Sequence, residues 1–369
     1  MNGLTSTRAA VLATFGESVG IREFPVPPPD EGQIVVAVRY GGVCGTDVHL
    51  RAGFLRVPLP LVLGHEGVGT VVTCGNGAGE DYFGSPLRPG DQVMWSSSIS
   101  CGRCVACGRR EPTLCLRRST YGVTLGLADH PGLSGSWAGH MVLRAGTTVV
   151  KLPDAVPPLA AASLACAGPT MVHALHDRRP VRPGDVVVVQ GSGPVGLAAA
   201  ALSHLAGAAQ VILVGGPAER LDLAARSGFG DHHLDVEGPD GPEPALAAVM
   251  DLTGGKGADL VIECTGSPPA VAQGLRMAAR GGAYLVVGQY TDRGDTEVNP
   301  HLIVYKQLDV LGSWGFTGAH LAEYVNLLPA LTRRFDLEKL VVTYPLEAAD
   351  QALDDVEAGA VMKAVLVAG

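Results

Sequence analysis

The stretch "DVVVVQGSGPVGLAAAALSHLAGAAQVILVG" (185–215) constrains the fold more than any other. Its apolar runs at 185–190 and 210–215 show no polar alternation, so both faces of each strand must be covered. Between them, glycines punctuate a turn that opens into an Ala-rich helix. The alternation continues: "PAERLDLAARSG" (217–228) reads as a helix, "ADLVIECTG" (258–266) and "GGAYLVVGQY" (281–290) as strands, and "SPPAVAQGLRMAARGG" (267–282) as a crossover helix. Strands alternating with helices predict an α/β fold with a doubly wound parallel sheet. Residues 194–214 are greasy enough to suggest a membrane helix, but His204, Gln210 and the glycines interrupt them. A strand–turn–helix–strand unit accounts for the whole segment, so no transmembrane segment is expected. The N-terminus lacks a basic start followed by an unbroken apolar core, and no signal peptide is read there.

The rest of the chain is β-rich. "QIVVAVRYGGVC" (33–44) and "EGVGTVVTCGNG" (66–77) are β-branched runs ending in glycine, Pro89-Gly90-Asp91 is a turn feeding a strand, and 139–154 resembles a hairpin. Short strands at close intervals predict a folded-over barrel. Residues 235–248 read as a turn-rich surface connection. After about 315 come amphipathic helices (319–335, 346–359) and a terminal strand (362–369). The parallel-sheet domain, 168–314, is therefore inserted between two pieces of the other, 1–167 and 315–369. A chain of 369 residues can hold two cores, and a net charge of −9 counts against nucleic acid or an anionic membrane as main partner.

"CGRCVACGRREPTLC" (101–115) places Cys101, Cys104, Cys107 and Cys115 in fifteen residues. A disulfide scaffold is normally a short secreted chain, a plant-type ferredoxin needs another spacing, and a redox pair leaves two thiols unexplained. Closed tetrahedral zinc held by four thiolates at about 2.3 Å fits best, and a closed site is structural.

Four further segments carry chemistry. "GSGPVG" follows a strand and opens a helix, so Gly191, Gly193, Pro194, Val195 and Gly196 read as a dinucleotide turn whose helix N-terminus offers N–H groups to a pyrophosphate. "GGVCGTDVH" groups Cys44, Thr46, Asp47 and His49: a thiolate that can bind zinc, a hydroxyl, a carboxylate that can orient a ligating histidine, and a second histidine. A strand-end turn with a buried cysteine is the plainer reading. "GHEGVG" offers His65 and Glu66, and "LACAGPT" offers Cys166, which on its own reads as a small core residue.

In this order the motifs resemble the zinc-dependent medium-chain alcohol dehydrogenases over essentially the whole chain. The resemblance implies a GroES-like catalytic domain carrying both metal sites and a Rossmann cofactor domain. It implies two zinc ions per chain: a catalytic one on Cys44, His65 and Cys166, and a structural one on the four-cysteine lobe. Asp47 would support His65, Glu66 would sit behind the metal, and Thr46 and His49 would relay the proton. Gly45 cannot make the pyrophosphate contact of relatives with arginine there, and Lys363, in "VMKAVL", matches a basic phosphate-contacting position. Thr265 and Val287 would line the cofactor crevice. Gly215 stands where NAD-specific relatives have a carboxylate, and Arg220 is the nearest cation for an extra phosphate, so the cofactor is NAD(P)(H), leaning to NADP(H), with dual use as the alternative.

The implied reaction is hydride transfer between a small-molecule alcohol, or an aldehyde or ketone in reverse, and the nicotinamide, with substrate in the cleft between domains. Trp95, Trp137, Trp314 and Leu55 are expected apolar walls, and Arg51 and Arg56 are solvated loop charges or anchors for an anionic substrate. A zinc-free quinone or enoyl reductase of the superfamily is one rival and a non-catalytic zinc- and nucleotide-binding protein another. The intact Cys44, His65 and Cys166 set counts against the first, and the relay Thr46/His49 against the second. The expected setting is cytoplasmic, as a homodimer or homotetramer formed near 301–315. Cys74 and Cys264 are assigned no metal, and the long stretch 77–91 no function.

Overall fold

The computed structural model describes residues 6–238 and 241–368. The chain divides into two compact units. One runs to Cys166 and takes in Thr317–Thr332 and the chain from Leu337, and the other holds Ala167–Phe316 and Arg333–Asp336.

In the first unit a seven-stranded sheet runs Val149–Lys151, Gln92–Trp95, Gly67–Cys74, Ile34–Val43, Lys363–Val367, Val341–Pro345, with His140–Leu143 also paired to Ile34–Val43. A smaller sheet holds Gly20–Pro25, Ser6–Leu12 and Leu61–Val62. Register in the larger sheet decides the site. Gly41 stands opposite Gly67, and Val43 opposite Ala364. The ends of three strands thus bring Cys44, Glu66 and Lys363 to one edge, although they lie far apart in sequence.

The two strands expected as a hairpin over 139–154 exist but do not pair. His140–Leu143 joins Ile34–Val43, and Val149–Lys151 joins Gln92–Trp95. Each strand instead takes a partner distant in sequence, and turn chemistry alone does not reveal that competition.

The expected substrate walls Trp95 and Trp137 are core residues. Trp137 is fully buried among Leu12, Leu50, Leu63 and Leu366, and its Nε1–H donates to the Gly42 carbonyl at 3.0 Å. Trp95 packs with Val36, Val71 and Met141, and a β-carbon on Gly67 would run into its ring. Leu55 packs against the same cluster as Trp137, whereas Trp314 is exposed and stacked on Tyr290.

The second unit is a six-stranded parallel sheet in the order His232–Asp235, Gln210–Gly215, Val186–Gln190, Ala258–Glu263, Ala278–Val286, Asp309–Gly312. Counted along the chain this is 3-2-1-4-5-6, the doubly wound order whose switch point lies beside the first strand. Val187–Val189 and Val211–Leu213 are wholly buried, as their unbroken apolar character requires. The strand His232–Asp235 carries no apolar run and is not evident in the sequence.

Trp137→Phe should lower stability by about 1–3 kcal/mol, because it removes buried indole volume and the hydrogen bond to Gly42. Denaturant unfolding measures this. A stable variant with altered alcohol preference would return Trp137 to the substrate wall.

Candidate active site

The site begins with the N-terminus of the short helix Gly45–Arg51. Cys44 is its N-cap, and Cys44 Sγ accepts from the Thr46 N–H at 3.3 Å. Asp47, fully buried, accepts the Cys44 N–H at Oδ2 (2.9 Å) and faces His65 Nδ1 with Oδ1 (3.2 Å). A carboxylate only accepts, so His65 Nδ1 carries the proton and Nε2 points inward, 3.2 Å from Cys44 Sγ. Cys44 Sγ, His65 Nε2, a Glu66 oxygen and Cys166 Sγ all lie within 4.8 Å of one another.

The electrostatics suit a cation. Hydrogen bonding from Cys166, with help from His65, holds the Cys44 thiol well below its ordinary range against burial. Cys166 is pushed well up, by that same bond and by burial. Burial opposes a charge on His65, but Asp47 and Cys44 outweigh it and raise its pKa. Cys166 and His65 Nε2 thus both turn towards the Cys44 sulfur, an arrangement that would suit a metal ion among the three. One further atom fits that reading: Glu66 Oε1 is buried without a hydrogen-bond partner, 3.9 Å from His65 Nε2.

Glu66 Oε2 is held by Lys363 Nζ at 2.6 Å, and Lys363 also donates to the Val43 carbonyl at 3.1 Å. Burial raises the Glu66 pKa, with Lys363 opposing. The expected phosphate contact at Lys363 is therefore corrected. Its ammonium is 3% exposed and committed to Glu66, because a buried carboxylate needs a buried counter-charge. Arg51 is likewise neither a solvated charge nor a substrate anchor. It binds Asp354 (2.7 Å) and Glu357 (3.0 Å) of the helix Ala349–Glu357, which ties down the end of the helix that carries Thr46 and His49. Thr46 and His49 are half-buried, and His49 meets Phe54 edge-on.

A second cluster joins Cys101, Cys104, Cys107 and Cys115, with sulfurs within 4.8 Å of one another. Cys104 and Cys107 lie 3.5 Å apart, far beyond an S–S bond, and all eight cysteines are free. The Arg103 N–H draws the Cys101 thiol down to about 6, while desolvation and Cys104 push Cys107 to about 11. Stretch 77–91 is a loop organised by Asp81, which accepts from the Phe83 and Ser85 N–H groups.

In the other unit the Gly-rich turn follows the first strand. Gly191 has φ +114°, and Gly193 caps the helix Pro194–Leu205, with Pro194 and Val195 in its first turn. A β-carbon on Gly191 would press on Cys264 at 3.0 Å, and one on Gly196 would strike the Gly191 carbonyl. Thr265 and Val287 follow the fourth and fifth strands. Buried Glu263, which sequence reasoning passed over, binds both loops: Oε1 accepts from Thr265 N (2.7 Å), Thr265 Oγ1 (2.6 Å) and Gly266 N (2.8 Å), and Oε2 from Gly288 N (3.1 Å). Gly215 ends the second strand beneath Ser192, whose hydroxyl donates to the Gly216 carbonyl at 2.7 Å. A β-carbon on Gly215 would come 2.8 Å from Ser192 N, so a side chain there would press on the Gly-rich turn.

Residues 30–154 match the family model of the alcohol dehydrogenase GroES-like domain, and 194–333 that of zinc-binding dehydrogenase. The chain is 34% identical to 5-exo-hydroxycamphor dehydrogenase of Pseudomonas putida, over 97% of this chain and 98% of that one. The chain belongs to the zinc-type medium-chain dehydrogenases. Sorbitol dehydrogenase of Halalkalibacterium halodurans is 31% identical over 94% of each chain. A crystal structure of alcohol dehydrogenase from Thermotoga maritima superposes with a TM-score of 0.93 at 34% identity, covering 99% of this chain and 100% of that one. A zinc-binding dehydrogenase from Sinorhizobium meliloti, bound to NADP, superposes at 0.84 with 25% identity, covering 98% and 99%.

The medium-chain dehydrogenase thus combines a GroES-like domain with a Rossmann-type parallel sheet, the NAD(P)-binding fold of the zinc-binding dehydrogenases, and is an oxidoreductase of the alcohol type. Among its described residues no helix is long and apolar enough to cross a membrane.

Lys363→Met would strand the Glu66 carboxylate and should cost about 3–5 kcal/mol in denaturant unfolding. Adding Glu66→Gln should recover most of that loss. A double variant as unstable as Lys363→Met would show that the ion pair is not what Lys363 contributes.

Proposed function

We propose that this dehydrogenase is zinc-dependent and passes a hydride between a small-molecule alcohol and NAD(P), reducing an aldehyde or ketone in reverse. Both metal sites belong to the domain of residues 1–167 and 315–369, and the cofactor to 168–314. The observation that carries the reading is the convergence of Cys44, His65 and Cys166, from three separate segments, with the orphaned oxygen of Glu66 beside them. A zinc-free reductase has no need of that set, and a pure binder has no need of Thr46 and His49.

Bound there, zinc supplies Lewis-acid polarisation of the substrate oxygen, and the nicotinamide supplies the hydride acceptor. The chain supplies the rest. Cys44, Cys166 and His65 Nε2 would hold the ion, and Asp47 keeps the His65 proton on Nδ1. Thr46 Oγ1 would accept the alcohol proton as it gives up its own, which would pass by way of the cofactor ribose to His49 and solvent. Lys363 balances Glu66, so that no net charge is left uncompensated behind the metal. Gly191–Gly196, Thr265 and Val287 line the nucleotide, and the four-cysteine lobe holds a second, structural zinc. Gly215 and Arg220 support use of NADP(H) beside NAD(H), as does the NADP-bound relative.

Zinc removal should abolish turnover and zinc return should restore it, with two ions per chain by metal analysis. Cys44→Ser, His65→Ala and Cys166→Ala should each abolish turnover while nucleotide binding persists, whereas Cys104→Ser should lower stability more than rate. Near-normal zinc content and rate in Cys166→Ala would move the third ligand to Glu66, and one ion per fully active chain would remove the structural site.

A homo-oligomer is proposed through Asp309–Gly312, the edge strand of the parallel sheet, where Val310 is exposed, as are Val304 and Tyr305 of the preceding helix. Light scattering at micromolar concentration should give a dimer or tetramer, and a monomer would contradict it.

A further inference from the structure

The end of the second parallel strand lacks a carboxylate in sequence, but the fold brings one there from the third strand. Gly215 pairs with Asp235, and the Val236 N–H donates to the Gly215 carbonyl at 2.9 Å, which carries the register one residue past the strand. Glu237 follows. Its N–H donates to Asp235 Oδ1 at 2.9 Å, a turn that sets its direction. Its side chain then folds over Gly216: a β-carbon there would come 2.6 Å from both Cγ and the carboxyl carbon of Glu237, and 3.0 Å from Oε1. Only glycine at 216 leaves this carboxylate its place. Arg220, in the first turn of the next helix, is drawn down by burial, with Glu237 opposing that effect. The Ser192 hydroxyl on the Gly216 carbonyl places the dinucleotide turn at the same strand end.

We propose that Glu237 is the residue that discriminates between the two nicotinamide cofactors, standing in from the third strand for the acid missing at Gly215. In sheets of this order the adenosine ribose is bound at the end of the second strand. A carboxylate there accepts from ribose hydroxyls, repels a 2′-phosphate and competes for the Arg220 guanidinium that a phosphate would use. Gly215 and Arg220 thus permit NADP(H), and Glu237 limits how well it is accepted. The inference rests on the nucleotide-binding reading of this unit.

The test is calorimetric titration of the whole protein with ADP and with 2′,5′-ADP, which needs neither substrate nor turnover. Glu237→Gln should raise the affinity for 2′,5′-ADP relative to ADP by about tenfold, through loss of the like charge. Gly216→Ala, which leaves Glu237 in the chain but displaces its carboxylate, should move the ratio the same way by a smaller factor. It carries the test if Glu237→Gln does not fold. A ratio unchanged in these variants would overturn the role of Glu237 while leaving the nucleotide site standing. Failure of the parent to bind either nucleotide would overturn the nucleotide reading and this proposal with it.

Discussion

One buried carboxylate organises the reactive edge of the first unit. Asp47 spends one oxygen on the Cys44 N–H and the other on His65 Nδ1. The first bond closes the cap of the helix Gly45–Arg51, and with it the direction of the Cys44 sulfur. The second sets the imidazole so that Nε2 faces that sulfur. Burial raises the Asp47 pKa, and only His65 and the hydrogen bonds beside it hold the charged form in place. The group is worth its desolvation because it aligns two donors at once, and an amide in its place would offer an N–H to one of two partners that already donate.

A second buried charge works differently. Glu66 and Lys363 form an ion pair wholly inside the protein, and such a pair adds little net stability over an apolar replacement. What it achieves here is placement. Lys363 begins the strand Lys363–Val367, which pairs with Ile34–Val43, so its reach to Glu66 and to the Val43 carbonyl ties the C-terminal strand to the edge that carries Cys44 and Glu66. One Glu66 oxygen is satisfied and the other is left facing the ligands.

The parallel unit uses the same device on a different backbone. Glu263 collects N–H groups from the loops after the fourth and fifth strands, and close-packed glycines at 191, 266 and 288 let those loops approach the Gly-rich turn. Buried carboxylates thus hold the loops in both halves, in one beside the cluster that could hold a metal and in the other beside the Gly-rich turn.

The doubly wound unit was legible in the sequence because its signals are local: unbroken apolar strands, a glycine turn and helices of ordinary length. The four-cysteine lobe was legible for a similar reason, since spacing alone brings Cys101, Cys104, Cys107 and Cys115 together. The partners of the pairs were not. No local pattern distinguishes a lysine that meets a phosphate from one buried against Glu66, or a tryptophan lining a pocket from one filling the core at Trp137. Nor does one show that Glu237 covers the strand end that Gly215 leaves bare. Local propensity and spacing determined the elements and most of the candidate ligands. Strand register, which depends on competition among distant segments for the same ladder, decided which buried charges meet, and through them how the site is arranged.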